Sequence, residues 1–175
     1  MDTGPAVESD WDVIASLEIT SGEIAVLDPM SFDSITLKLP PGRYQVAIKR
    51  VQYLDEQYTR VSRVRVSNSK GAQLGPQIDR VGVDAATLGI VDASALSDDN
   101  TEEWERHTAE IESSWQSGED CGYVQWGDAD SAIMAHVSTG YGDGTFPVCE
   151  LTLNQQRAGF EIEFIPTGTA YPFKK

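Results

Sequence analysis

The chain has 175 residues, with 28 acidic side chains against 13 basic ones and a formal net charge of −15, while its apolar share of 40% and charged share of 23% are ordinary for a globular protein. The acidity is therefore a surface property and not a mark of disorder, and it disfavours nucleic acid and anionic membranes as partners. The length suits one globular domain over residues 1–175 with loosely held ends, about 1–12 and 167–175, and a core that needs neither disulfide nor metal.

No membrane-length apolar run is present, and the first ten residues hold neither a basic residue nor an apolar stretch, so a cytoplasmic location is expected. Cys121 and Cys149 are too few for a disulfide framework and lack metal-ligand spacing, which predicts two semi-buried free thiols.

Along the chain, Leu17, Ile19, Ile24, Val26 and Leu27 flank Ser21-Gly22 as two short strands around a turn that ends at Asp28-Pro29. A short strand at 35–39 stops at Pro40-Pro41-Gly42. Tyr44, Val46 and Ile48 then alternate with polar residues, as do Val64 and Val66 with Arg63 and Arg65. These runs predict an antiparallel hairpin across Asp55-Glu56-Gln57, with one apolar and one basic face.

Residues 81–96 repeat a Val-Asp-Ala step but show neither helical nor strand period. The spacing predicts one main helix, about 101–117: Asn100 is placed to cap it, Glu103 sits at the reciprocal capping position, and Gly118 ends it. Trp104, Thr108, Ile111 and Trp115 form its apolar stripe. Strands follow at 123–126, 131–138 and 146–153, and a last one holds Phe160, Ile162 and Phe164 on one side with Glu161 and Glu163 on the other. The expected class is α+β, strand-rich, a largely antiparallel sheet or sandwich with that single helix.

Charge is unevenly spread. Residues 38–80 hold nine basic side chains against three acids, whereas 81–163 hold Arg106 and Arg157 against 17 acids, so distant halves of the chain attract each other. Either a basic sheet face lies against an acidic one, or the asymmetry steers a charged partner.

The unusual segment is Ser138-Thr139-Gly140-Tyr141-Gly142-Asp143-Gly144-Thr145-Phe146-Pro147. Its Gly-x-Gly-x-Gly spacing and the strand that follows exclude a dinucleotide fingerprint. It reads either as a hairpin between its flanking strands or as a rigid loop that presents Asp143 to a ligand, with Tyr141, Gly142 and Gly144 around it. His136, two residues upstream of that loop, is opposite Ile133, Ala135 and Val137 on its strand and is either a structural histidine or a proton-transfer partner of Asp143. His107 is expected to be structural, on a helix among charged neighbours.

Asp84, Asp92, Asp128, Asp130 and Asp143 each stand beside a small residue, which makes them ordinary turn aspartates or ligands for a hard cation. The calcium-loop pattern is incomplete, lacking its glycine and its glutamate. No cofactor signature is present, and no nucleophile elbow.

Four segments together resemble a bacterial family known only as a domain of unknown function: Ser21-Gly22-Glu23-Ile24 through Asp28-Pro29, Pro40-Pro41-Gly42-Arg43-Tyr44-Gln45-Val46, Gly82-Val83-Asp84-Ala85 with Asp92, and Ser138 through Pro147. The last is similar to that family's Ser-Gly-Trp/Tyr-Gly-Asp-Gly, aromatic, Pro pattern, with Thr139 inserted here. The resemblance implies a shared domain and brings no catalytic residues. The leading expectation is a non-catalytic domain that binds a basic protein surface, with the acidic face steering the partner and the Gly140–Gly144 loop and nearby aromatics making the contacts, a profile similar to small acidic immunity proteins. Its rivals are a carboxylate-site enzyme or divalent-metal domain built on Asp84, Asp92, Asp143 and His136, and a structural module of a larger assembly.

Overall fold

The computed structural model describes residues 7–31, 33–52, 59–96, 101–126 and 133–166, those at 101–103 by backbone alone. Two antiparallel sheets lie face to face. The larger one contains β1 (Val7–Glu8), β2 (Asp12–Ile19), β5 (Gly42–Gln52), β6 (Arg60–Ser67), β7 (Gln73–Val83), β11 (Gly144–Leu153) and β12 (Gln156–Glu163). Its order is β5-β6-β12-β11-β7, with both β1 and β2 along the free side of β5. The smaller contains β3 (Glu23–Leu27), β4 (Ser34–Lys38), β8 (Thr87–Asp92), β9 (Cys121–Gln125) and β10 (Ile133–Ser138), in the order β4-β3-β8-β10-β9. The molecule is thus a strand-rich sandwich with one helix, α1 (Thr101–Gln116), which the α+β label fits only loosely.

Alternation decides which side chains meet between the sheets. Tyr44, Val46 and Ile48 of β5, Val64 and Val66 of β6, and Phe160 and Ile162 of β12 face Ile24 and Val26 of β3, Leu88 and Ile90 of β8, and Ala135 and Val137 of β10. The intervening residues of the smaller sheet face the other way. Ala25, Leu27, Val91 and Met134 form a second core with Val124, Trp126 and Ile111 of α1, so the helix makes a third layer. β8 is buried along its whole length because both its faces are covered, which is why 81–96 shows no alternation.

The predicted hairpin is present as the β5–β6 pair, its Asp55-Glu56-Gln57 loop lying outside the described residues. The basic stripe of that hairpin is closed by carboxylates from elsewhere in the chain. Arg63 contacts Glu163 at 2.7 Å, Glu8 at 3.2 Å and Glu161 at 3.3 Å, and Arg65 contacts Glu161 at 2.7 Å. Glu161 is 4% exposed and Arg63 and Arg65 are half-buried, so these ion pairs cover their part of the outer face. Between the sheets, Arg50 grips Asp120 through two hydrogen bonds of 2.7 and 2.9 Å.

α1 matches its predicted span within a residue. At its end Gly118 N–H donates to the Trp115 carbonyl and Glu119 N–H to the Ser114 carbonyl, a Schellman closure with Gly118 at φ +81°. The predicted cap at Asn100 and the Glu103 side chain lie outside what is described. His107 is buried despite its charged neighbours in sequence, its ring 4.8 Å from that of Trp126, because positions 104, 107, 108 and 111 share the face turned to the sheet.

The hairpin reading of Ser138–Pro147 is wrong. β10 belongs to the smaller sheet and β11 to the larger, so the segment is a corner that carries the chain from one sheet to the other. Val7–Glu8, within the end expected to be loose, pairs with β5.

Candidate functional site

The corner at 138–147 spends most of its polar groups on itself and on the β7–β8 turn. Thr139 is buried, its N–H donates to the Ala86 carbonyl at 3.1 Å, and its hydroxyl donates to the Gly142 carbonyl at 2.6 Å. A Cβ on Gly140 would stand 2.8 Å from Ile165 Cγ1, so glycine is needed there for contact with the core. Gly144 is similarly crowded by the Phe146 ring, 3.2 Å from a Cβ. Tyr141 packs against the sandwich core with the Arg60 guanidinium 4.5 Å from its ring centre. Asp143 is exposed, and its Oδ1 accepts the Ala86 N–H at 3.0 Å, steadying a residue at φ +55°.

The β7–β8 turn is held from its other side by Asp28, which sequence reasoning passed over as turn punctuation. Asp28 is fully buried, and its carboxylate accepts four backbone N–H groups, from Met30, Ser31, Asp84 and Ala85. Asp84 and Asp143 therefore meet at one turn, with the exposed Asp84 contributing its backbone N–H to the network. Asp92 does not join them. It stands at the opposite end of β8, roughly 17 Å away at ~3.3 Å per residue.

Asp92 is a structural clasp. Its carboxylate accepts the N–H and hydroxyl groups of Thr20, Ser21 and Ser94, tying the β2–β3 turn to the short 3-10 turn at Ala93–Ala95. Burial alone would raise its pKa, but the hydrogen bonds from Ser21, Thr20 and Ser94 outweigh it and hold the carboxyl well below the usual carboxylate range. A depressed folded-state value means stability that is fully present above the unfolded pKa, near 3.9, and is lost as pH falls from there toward the folded value. Asp92→Asn is expected to lower stability at pH 7 and to flatten the acid limb of the stability curve below about pH 4. Urea titrations from pH 2.5 to 7 check this; parallel wild-type and variant curves would refute it.

His136 lies elsewhere. On β10 it faces α1, opposite Ala135 and Val137 as its strand position predicts, while Asp143 turns to Ala86, so the two form no proton-transfer pair. Its ring occupies space left by Gly122, where a Cβ would stand 3.0 Å from Nε2. The imidazole makes no hydrogen bond among the described residues and borders a cleft of about 330 Å³ between α1 and β9. Glu110, Ser113, Ser117, Glu119 and Tyr123 supply its rim. Burial pushes the His136 pKa down and the Glu119 carboxylate only partly opposes it, so the ring is a neutral hydrogen-bonding group at pH 7.

Neither thiol is an activated nucleophile. Burial, reinforced by Asp120, pushes Cys121 up to about 11, and burial also raises Cys149. Both are free and they sit on different sheets. Among the described residues no group of three or more His, Cys, Asp or Glu side chains is arranged to hold a metal ion, and Asp128 and Asp130 lie outside those residues. No described helix is long and apolar enough to cross a membrane. Compared with known protein families, with curated protein sequences and with solved structures, the chain matches none.

Proposed function

We propose that this chain is a non-catalytic, cytoplasmic bacterial domain that binds a basic protein surface through the face formed by α1 and β9. What carries the reading is where the charges end up. Arg50, Arg63, Arg65 and Arg157 are engaged by carboxylates of the same molecule, whereas Glu105, Glu110 and Glu112 on exposed turns of α1 have no cationic partner among the described residues. Tyr123, 61% exposed and lining the same cleft as Glu110, offers an aromatic contact. The His136 cleft is polar and sized for one cationic side chain, with Glu110 and Glu119 at its mouth and a neutral imidazole within as acceptor. The corner at Gly140–Gly144 is the weaker interface, since its groups are committed to the fold.

Capture from a lysate of the source cell tests this with two matched triple variants. Glu110→Gln, Glu112→Gln and Glu119→Gln together are expected to weaken retention of a basic protein about tenfold or more. Glu23→Gln, Asp84→Asn and Asp143→Asn together, the same change in charge on another part of the surface, are expected to leave it intact. Retention of no basic protein, or equal retention by the first triple and the wild type, overturns the reading.

A further inference from the structure

The outer face of the larger sheet carries a second concavity, independent of the α1–β9 face. Across β2, β5 and β6 the register aligns Val13, Ala47 and Arg65 in one row and sets Gln45 opposite Ser67 in the next row on that face. Ala47 and Ser67 are small, and the side chains around them are large, so the sheet surface is hollowed there. Trp11 makes one wall and the turn from Ser67 to Lys70 the other, enclosing a groove of about 650 Å³. That volume is in the range of small-molecule sites.

The Trp11 ring is fixed by cations, with Arg65 Cζ 4.6 Å and Lys49 Nζ 5.1 Å from its centre. Every described ionisable residue lining the groove is basic, namely Arg43, Arg65 and Lys70, in a molecule whose net charge is −15. Among the described residues Arg43 uses only its Nε–H, on Glu18 at 2.8 Å, and both terminal amino groups of the guanidinium face no described acceptor. Lys70 has no carboxylate partner among the described residues. An apolar floor of Val13 and Ala47, an aromatic wall and a cationic rim together suit one chemical class.

We infer that this groove binds a small organic anion, its flat apolar body lying against Trp11, Val13 and Ala47 and its carboxylate or phosphate head held between Arg43 and Lys70. The probes are 2-naphthoate, 2-naphthyl phosphate and neutral 2-naphthalenemethanol, titrated into isotopically labelled full-length protein and followed by backbone amide shifts. At least one anion is expected to saturate, moving the amides of Val13, Ala47 and Ser67–Lys70, with the alcohol binding at least tenfold more weakly. Whichever anion binds more tightly identifies the head group. Arg43→Gln and Lys70→Gln are expected to weaken binding threefold to tenfold each without shifting the thermal midpoint, and Trp11→Ala to abolish saturation. Equal binding of the alcohol, shifts confined to other surfaces, or no saturable binding of either anion overturns the inference.

Discussion

Gly159→Ala is expected to cost on the order of 4 kcal/mol or more, a large fraction of the stability that keeps a domain folded, and to lower soluble yield. Gly159 sits in β12 directly after a bulge, where Leu151 of β11 pairs with Gly159 and Thr152 with Arg157, leaving Ala158 as the extra residue. The bulge sets Gly159 at φ +149° and presses its α-carbon against β6, so that a Cβ would stand 1.8 Å from the Val66 carbonyl oxygen. That oxygen is backbone within a paired strand and has no rotamer to escape into. Relief requires β12 to separate from β6, which would break the centre of the larger sheet. Gly118→Ala makes the comparison. There φ is +81° but nothing lies within 4 Å, so only the left-handed backbone is penalised, at about 1 kcal/mol. Soluble yield and urea unfolding of the two variants check the pair. Equal losses would mean that backbone conformation and not the contact with Val66 decides the cost at Gly159.

What the sequence made legible follows from which elements have one apolar face and one polar face. β5, β6 and β12 show a clean two-residue period because apolar residues on their inner side alternate with Arg63, Arg65, Glu161 and Glu163 on the outer. α1 announces itself by its stripe and by Gly118. β8 is hidden because both its faces are buried, and β7 because Gly75 and Pro76 interrupt a strand that lies at the edge of its sheet and is largely exposed. The crossing of 138–147 between sheets depends on which strands pair, and no local pattern encodes that.

The same division governs the candidate sites. The strand face of His136 was readable from its neighbours, but the cleft around it is assembled by α1 and by the absence of a side chain at Gly122. Asp28 looked like punctuation because two of its donors lie 56 and 57 residues away. Trp11 stood in a segment expected to be loose, and only pairing of β2 with β5 reveals it as the wall of a groove. The charge map fared better. The excess of cations in 38–80 and of acids in 81–163 did predict attraction, and the contacts of Arg63 and Arg65 with Glu161 and Glu163 realise it.

Asp28→Asn is expected to destabilise the protein by about 3–5 kcal/mol, although it exchanges one oxygen for an NH2 group and removes a charge from an acidic molecule. Each carboxylate oxygen of Asp28 accepts two backbone N–H groups: Oδ1 those of Met30 and Ser31 at 2.8 and 3.2 Å, Oδ2 those of Asp84 and Ala85 at 2.7 and 2.9 Å. An amide keeps one acceptor and turns an NH2 group toward the other two donors, at a side chain that is itself fully buried. Two backbone N–H groups then lose their acceptor and face a third donor, which neither rotamer of the asparagine avoids. Asp143→Asn, in contrast, keeps an oxygen for Ala86 at an exposed position and is expected to cost less than about 1 kcal/mol. Hydrogen exchange at the amides of Asp84, Ala85 and Ala86, with urea unfolding alongside, separates the two. Fast exchange in the Asp28 variant alone identifies the buried carboxylate as the scaffold of this turn. If the Asp143 variant instead loosened the turn and the Asp28 variant did not, the exposed aspartate would be the structural member of the pair, and the assignment of both residues would have to be exchanged.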